Sequence, residues 1–245
     1  MKIVFAFYCD KKFKKGFDLL YKTLIYHNPT IVKHDFVLMS DEIQHYKNFQ
    51  VINCENLKIK THIKRFEKTF NKLKVFSLDQ YDRAIFLDSD IICLGDISLL
   101  TCDSLSNRSL YAAKDDGVSL SKRNYINSGV MVINKPLLRQ SVFLELIEIA
   151  KKGFEEEKRD LKGNGSDQTV INDYLRMNNI NYGILETKYN TLKRIFHHHK
   201  EIWNKVKKEI RLLHFVGEKP WQKNRKEINY KEVDMLWKKM RNTYI

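Results

Sequence analysis

The chain is poor in the residues that mark linkers, membrane spans and zinc modules. Only three prolines and nine glycines occur among 245 residues, which excludes a linker-rich or disordered protein. No apolar run approaches the ~20 residues that a helix needs to cross a bilayer. The cysteines form no C-x-x-C pair and have no histidine at zinc-finger spacing, so a zinc module is not indicated. They are Cys9, Cys54, Cys93 and Cys102.

The amino terminus also lacks the features of a secretion signal. Met1 to Phe5 is typical of a strand, and Asp10-Lys11-Lys12 interrupts the apolar residues too early for a signal peptide. The sequence therefore predicts a cytoplasmic protein in a reducing compartment, with free thiols.

Positive charge, in contrast, is abundant. The formal net charge is +14, which indicates an anionic partner: a phosphorylated substrate, nucleic acid or an acidic membrane surface. The excess is concentrated near the end of the chain. Residues 193–245 hold 15 Lys and Arg against 6 Asp and Glu, a net charge of +9.

Strand-like and helix-like segments alternate along the chain. Short, continuous apolar runs predict buried parallel strands at 3–8, 36–39 and 84–87. Apolar residues at helical spacing lie between them, at 17–25 and 66–76. This order predicts an α/β fold with a mostly parallel central sheet flanked by helices.

The length suits one domain of this kind, so residues 1–245 are predicted to form a single domain. A late strand is expected at 210–216. Residues 222–245 are predicted to be a basic C-terminal helical extension of the same domain.

The first chemical feature is Asp88-Ser89-Asp90, directly after the most hydrophobic strand. Ligands of open α/β sheets bind beyond the carboxyl ends of the strands. Carboxylates at i and i+2 in an extended turn can both reach one divalent ion, with diphosphate oxygens at other positions. The same spacing also occurs in helix caps and solvated loops, so the motif alone leaves both interpretations open.

The second feature is the string His-Phe-Val-Gly-Glu-Lys-Pro-Trp at 214–221. His214 stands at a predicted strand end, where its imidazole could bind a metal. Gly217 would let the backbone approach a phosphate, and Lys219 is a point charge suited to a diphosphate. A lone histidine is more often structural, but the complete string indicates a metal and phosphate site.

Two further segments, Asn127-Ser128-Gly129 and Gly165-Ser166-Asp167-Gln168, complete a pattern with the two features above. With these four segments in this order, the chain from 3 to 221 resembles glycosyltransferase family 8. That family includes glycogenin and bacterial lipopolysaccharide hexosyltransferases. The resemblance implies a GT-A type fold and a metal-dependent transfer of a hexose from a UDP-sugar, with retained anomeric configuration.

The resemblance also implies roles for individual residues. Asp88, Asp90 and His214 match the ligands of a Mn²⁺ or Mg²⁺ ion. The residues matched to catalytic positions are Asp167, Gln168 and Lys219. Those matched to the binding of the UDP-sugar and its metal are Ala6, Tyr8, Cys9, Phe13, Arg65, Lys72, Asp88, Ser89, Asp90, Asn127, Ser128, Asp167, Gln168, His214, Gly217 and Lys219.

The predicted function is therefore a UDP-sugar-dependent hexosyltransferase, with glucose as the first choice of sugar and galactose as the second. Its acceptor could be a saccharide, a lipid-linked glycan or a protein. Two alternatives remain open. A metal-dependent nucleotidyltransferase also uses paired carboxylates, although it gives no reason for the string at 214–221. A basic nucleic-acid-binding protein would explain the charge, although no known binding motif is present.

The C-terminal helix allows two interpretations. It places Tyr230, Val233, Trp237 and Met240 on one stripe, beside several basic residues. Aromatic and basic residues together suit peripheral contact with an anionic membrane, where each Lys or Arg is worth about 1 kcal/mol. Alternatively, the stripe packs on the domain and the charges are solvated.

Overall fold

The computed structural model describes residues 1–54, 57, 59, 61, 64–116, 125–155, 166–223, 226 and 228–245, with 64, 65, 154, 155 and 228 described by their backbone alone. The strands are β1 Ile3–Tyr8, β2 Asp35–Ser40, β3 Gln50–Asn53, β4 Arg83–Asp88, β5 Ile91–Cys93, β6 Leu110–Lys114, β7 Ile126–Asn134, β8 Tyr182–Leu185, β9 Thr191–Leu192 and β10 Leu212–His214. The α-helices are α1 Lys14–His27, α2 Gln140–Glu155, α3 Asp167–Met177, α4 Ile195–His198, α5 Lys200–Val206 and α6 Lys231–Tyr244. Shorter 3₁₀ segments connect several of them.

The central sheet has seven strands in the order β3-β2-β1-β4-β7-β6-β8. Parallel pairs join β1 to β2 and β4, β2 to β3, and β6 to β8. Only β7 runs against its neighbours β4 and β6 among the described strands of this sheet. The predicted α/β fold with a mostly parallel sheet is therefore confirmed. A smaller sheet has the order β5-β10-β9.

The reversed direction of β7 determines what meets at one edge of the sheet. Its amino end lies beside the carboxyl ends of β4 and β6, because Val130 pairs with Leu87 and Ile126 with Lys114. In the smaller sheet, His214 pairs with Ile91. The end of β10 is thereby held next to the loop that follows β4.

Helices cover both faces of the central sheet. Side chains alternate between the faces along each strand, so Val4 and Ala6 point to one side and Phe5 and Phe7 to the other. The first pair lies in the cluster that includes residues of α2 and α3. The second pair packs with Phe17 and other residues of α1. All four strand residues are buried.

One predicted helix has a different geometry from an α-helix. Residues Lys64–Ser77 form 3₁₀ turns. A 3₁₀ helix has three residues per turn, so side chains three apart lie above one another. Phe70, Leu73 and Phe76 have this spacing and are all buried in the core. The late strand is also shorter than predicted, Leu212–His214, and the chain turns soon afterwards at Gly217, whose φ is 78°.

The C-terminal helix packs on the body of the protein. Val233 and Trp237 are buried, as is Tyr230 just before the helix. The ring of Trp237 lies 5.1 Å from that of Trp221. The apolar stripe is thus part of a hydrophobic core, the second of the two interpretations, and membrane contact through the basic face stays a prediction.

Among the described residues, no helix is both long enough and apolar enough to cross a membrane.

Candidate functional site

Two carboxylates and an imidazole converge at the carboxyl edge of the central sheet. Asp88 ends β4, Asp90 precedes β5, and His214 ends β10. One ligand atom from each residue lies within 4.8 Å of the other two. His214 Nε2 is 3.2 Å from Asp90 Oδ1 and 3.7 Å from Asp88 Oδ2. Carboxylate oxygens with one imidazole nitrogen form a donor set that suits a divalent cation such as Mn²⁺.

Lys72 lies between two carboxylates of this site. Its Nζ is 3.0 Å from Asp88 Oδ1 and 2.9 Å from Asp167 Oδ2, and it donates to Ser128 Oγ at 3.3 Å. Burial alone would lower the pKa of Lys72, but the two carboxylates outweigh it and raise that pKa. Burial raises the pKa of Asp88, against the opposing charge of Lys72. Lys72 is therefore a permanent cation.

Lys219 occupies the other side of the acidic pair. Its Nζ donates to Asp90 Oδ2 and, at 2.9 Å, to the carbonyl oxygen of Phe215. Burial would raise the pKa of Asp90, but Lys219 and His214 outweigh it and hold that pKa below its usual range. The left-handed backbone at Gly217 turns the chain between His214 and Lys219. His214 at the end of β10 and Lys219 in the loop that follows can thus both reach Asp90.

A set of side-chain amides lies beside the cluster of Asp88, Asp90 and His214. Gln168 Oε1 accepts from Asn127 Nδ2 at 3.0 Å and from the backbone N–H of Ser128 at 3.2 Å. Gln168 Nε2 donates to Asp115 Oδ2 at 2.9 Å. Ser128 Oγ donates to Asp167 Oδ2 at 2.7 Å. The structure therefore brings the segments that begin β7 and α3 into one network.

Ser166 occupies the N-cap position of α3, and its side chain makes no capping hydrogen bond. Gly165 of the same segment lies outside the described residues.

Two residues beside the candidate site were not predicted from the sequence. Asp115 belongs to the amide network through its bonds with Gln168 and Asn127. Its position just after β6 was an available signal, because that strand ends at the same edge. Asn190 hydrogen-bonds to His214 Nδ1 at 3.0 Å. No motif marks Asn190, which reaches the site because β9 pairs with β10.

Gly129 has a steric role beneath the imidazole. A Cβ at this position would lie 2.5 Å from His214 Nδ1 and 2.9 Å from Asn127 Oδ1, far inside normal contact. The glycine thus provides the space in which the His214 imidazole sits against β7.

The end of β1 borders the same site. Ser89 Oγ donates to the carbonyl oxygen of Tyr8, and Tyr8 OH donates to Asp41 Oδ1 at 3.2 Å. Ala6 lies deeper in the strand and is buried, as is Cys9. Burial raises the pKa of the Cys9 thiol, so this thiol is protonated and unreactive at neutral pH.

Phe13 stands at the rim, with its ring centroid 6.2 Å from that of Trp221 and 5.5 Å from Lys219 Nζ. Arg65 is described by its backbone alone, within the 3₁₀ segment Lys64–Ser77. The contacts of these residues with a donor nucleotide remain predictions.

The sheet order and the acidic loop at its carboxyl edge define a GT-A type α/β fold, which solved glycosyltransferase structures share. A galactosyltransferase, LgtC, solved with donor and acceptor sugar analogues, superposes with a TM-score of 0.68 at 18% identity and covers 100% of this chain and 96% of that one. The family to which the chain belongs is shown by a match along most of its sequence. The model of glycosyl transferase family 8 matches residues 5–225, and the chain belongs to that family.

Curated relatives are distant and longer. A putative UDP-glucuronate:xylan alpha-glucuronosyltransferase 4 of Arabidopsis thaliana is 27% identical over 171 residues, which cover 70% of this chain and 25% of that protein. The lipopolysaccharide 1,3-galactosyltransferase of Salmonella typhimurium is 27% identical over 190 residues, which cover 70% of this chain and 54% of that protein. The chain thus spans a quarter to about half the length of these relatives.

Proposed function

We propose that this chain is a retaining hexosyltransferase that transfers a sugar from a UDP-sugar to a saccharide, lipid-linked glycan or protein acceptor. The observation that carries the proposal is the convergence of Asp88, Asp90 and His214 between two buried lysines. These three residues would hold a Mn²⁺ or Mg²⁺ ion. Such an ion acts as a Lewis acid that neutralises charge on the departing diphosphate.

The protein's own cations would act on the same leaving group. Lys219 is buried and already orders the loop after β10 through its bond to the Phe215 carbonyl oxygen. A preorganised ammonium needs little rearrangement when charge develops on the diphosphate. Lys72 would balance the charge of Asp88 and Asp167 while the donor binds.

Retention requires support on the sugar face opposite the acceptor. Asp167 is one candidate nucleophile, but its Oδ2 accepts hydrogen bonds from Lys72 and Ser128. Those bonds stabilise the carboxylate charge and favour a stabilising role over covalent attack. Gln168 would contribute a dipole. We therefore favour a front-side path. In it the acceptor oxygen attacks the anomeric carbon on the face that UDP leaves, and the acceptor's proton passes to the departing phosphate oxygen.

Glucose is the first proposed sugar and galactose the second. The names of the Salmonella galactosyltransferase and of glycogenin-1 from Saccharomyces cerevisiae, which is 27% identical over 187 residues, support a hexose. UDP-glucuronate, named for the Arabidopsis relatives, belongs in the same screen.

The test is the release of UDP from UDP-glucose, UDP-galactose, UDP-glucuronate and UDP-N-acetylglucosamine, each with Mn²⁺ or with EDTA. We expect release from a hexose donor with Mn²⁺ and a loss of activity with EDTA. Equal activity in EDTA would refute the metal role. Tighter calorimetric binding of UDP-N-acetylglucosamine than of either hexose donor would refute the sugar assignment.

A further inference from the structure

The orientation of Asn127 is fixed by the backbone. The N–H of Gly129 donates to Asn127 Oδ1 at 2.9 Å. A backbone N–H can only donate, so the atom that faces it must be the amide oxygen. The amide nitrogen of Asn127 therefore faces Asp115 Oδ1 and Gln168 Oε1, at 3.2 and 3.0 Å.

This orientation in turn fixes Asn190. Its Nδ2 donates to the same Asn127 Oδ1 at 2.9 Å, so its own oxygen points the other way, at His214 Nδ1, 3.0 Å distant. An amide oxygen carries no proton, which means that Nδ1 of His214 must be the donor in this bond. Asn190 and His214 are both buried, so water does not compete for the contact.

A proton held on Nδ1 leaves Nε2 as the nitrogen that can bind a metal. Nε2 is the atom that faces Asp90 Oδ1 and Asp88 Oδ2. In the neutral ring Nε2 then carries no proton and its lone pair can bind a metal, and in the charged ring the proton that a metal displaces is the one on Nε2. Partners of this kind orient imidazole ligands and raise their basicity in metal proteins generally.

We propose that Asn190 is a positioning residue, which holds His214 in the tautomer whose Nε2 binds the divalent cation. The role rests on the proposed metal site and extends it to a residue outside the four sequence segments. Asn190 touches neither the cation nor the donor in this role. It acts through His214, and Asn127 acts one step further back by orienting Asn190.

The direct readout is the position of the imidazole proton. In protein labelled with ¹⁵N at histidine, a one-bond ¹H–¹⁵N correlation shows which ring nitrogen carries it, and a His214→Gln variant assigns the signal. Mg²⁺ serves as the cation because Mn²⁺ would broaden the spectrum. We expect a His214 Nδ1–H signal in the wild-type protein with and without Mg²⁺. A proton on Nε2 in the Mg²⁺-loaded protein would overturn the proposal without any variant.

Variants then test the part played by Asn190. Asn190→Leu has a similar size but no acceptor, so we expect loss of the Nδ1–H signal and Mn²⁺ affinity lower by about 10- to 100-fold in calorimetry. Asn190→Asp keeps an oxygen facing Nδ1 and should retain the signal. Its second oxygen meets Asn127 Oδ1 where Nδ2 donated before, so we expect an affinity between those of Asn190→Leu and the wild type. Asn178→Leu is the matched control, because Asn178 donates to the Tyr174 carbonyl oxygen in α3; its affinity should not change.

The outcomes separate this proposal from the proposed function. Unchanged Mn²⁺ affinity and an unchanged signal in Asn190→Leu would refute the positioning role while the metal site stands. A proton on Nε2 in the Mg²⁺-loaded wild-type protein would also refute it, including when Asn190→Leu does not fold. Absence of Mn²⁺ binding by the wild-type protein would instead refute the metal site itself, together with any role that depends on it.

Discussion

Replacement of Gly129 by alanine tests the packing that places His214. In the interior of a strand, Gly→Ala ordinarily stabilises a protein by about 0.5–1 kcal/mol, because the unfolded chain loses freedom. Here the new Cβ would lie 2.5 Å from His214 Nδ1 and 2.9 Å from Asn127 Oδ1. Both neighbours are held by hydrogen bonds to Asn190. We therefore expect Gly129→Ala to destabilise the protein, with a free energy of unfolding lower by about 1–3 kcal/mol because of overpacking.

Urea denaturation and thermal melting measure this loss. For a chain of this size, 1 kcal/mol corresponds to about 2–4 °C in Tm. A double-mutant cycle with His214→Ala identifies the clashing group. If the imidazole causes the penalty, Gly129→Ala should cost at least about 1 kcal/mol less in the His214→Ala background. An equal cost in both backgrounds would exclude the imidazole as the clashing group and leave Asn127 Oδ1, whereas a stabilised Gly129→Ala protein would refute the steric role of this glycine.

Two further predictions concern the loop at 214–221 and the helix that supports it. Lys219→Ala should lower the rate of UDP release by on the order of 10²-fold, the usual effect of losing one preorganised charge. A tenfold smaller loss of rate, with the affinity for the donor unchanged, would mean that Lys219 does not contact the diphosphate during the reaction. Truncation after Asn229 should lower the Tm and increase binding of a hydrophobic dye, because it removes buried Val233 and Trp237. A truncated protein with an unchanged Tm that loses only its binding to anionic vesicles would favour the membrane interpretation instead.

The sequence predicted those parts of the fold and site that depend on local pattern. Apolar runs marked β1, β2 and β4, and the motif at 88–90 follows the last of them, so both carboxylates could be placed at a strand end. His214 was predicted for a similar reason, since it closes an apolar run and begins the string with Gly217 and Lys219.

The remaining contacts depend on strand pairing, which no single segment encodes. Asp115 joins the site because β7 runs against β6 and brings Asn127 beside it. Asn190 meets His214 because β9 lies next to β10, across a gap of more than twenty residues in the chain. The space beneath the imidazole likewise appears only when Gly129 is set against His214. Side-chain spacing also could not separate 3₁₀ from α geometry at 64–77, because Phe70 and Leu73 satisfy both.

The central claim, that Asp88, Asp90 and His214 bind a divalent cation together with a UDP donor, is tested most directly by calorimetric titration of UDP with and without Mn²⁺. The titration is made on the wild-type protein, on Asp90→Asn and on the control variant Asp96→Asn. Asp96 is an exposed aspartate whose carboxylate accepts hydrogen bonds from Ser98. We predict that Mn²⁺ strengthens UDP binding in the wild-type and Asp96→Asn proteins and has no effect in a folded Asp90→Asn protein. UDP binding that is indifferent to Mn²⁺ in the wild type, or that responds equally in Asp90→Asn, would contradict the claim.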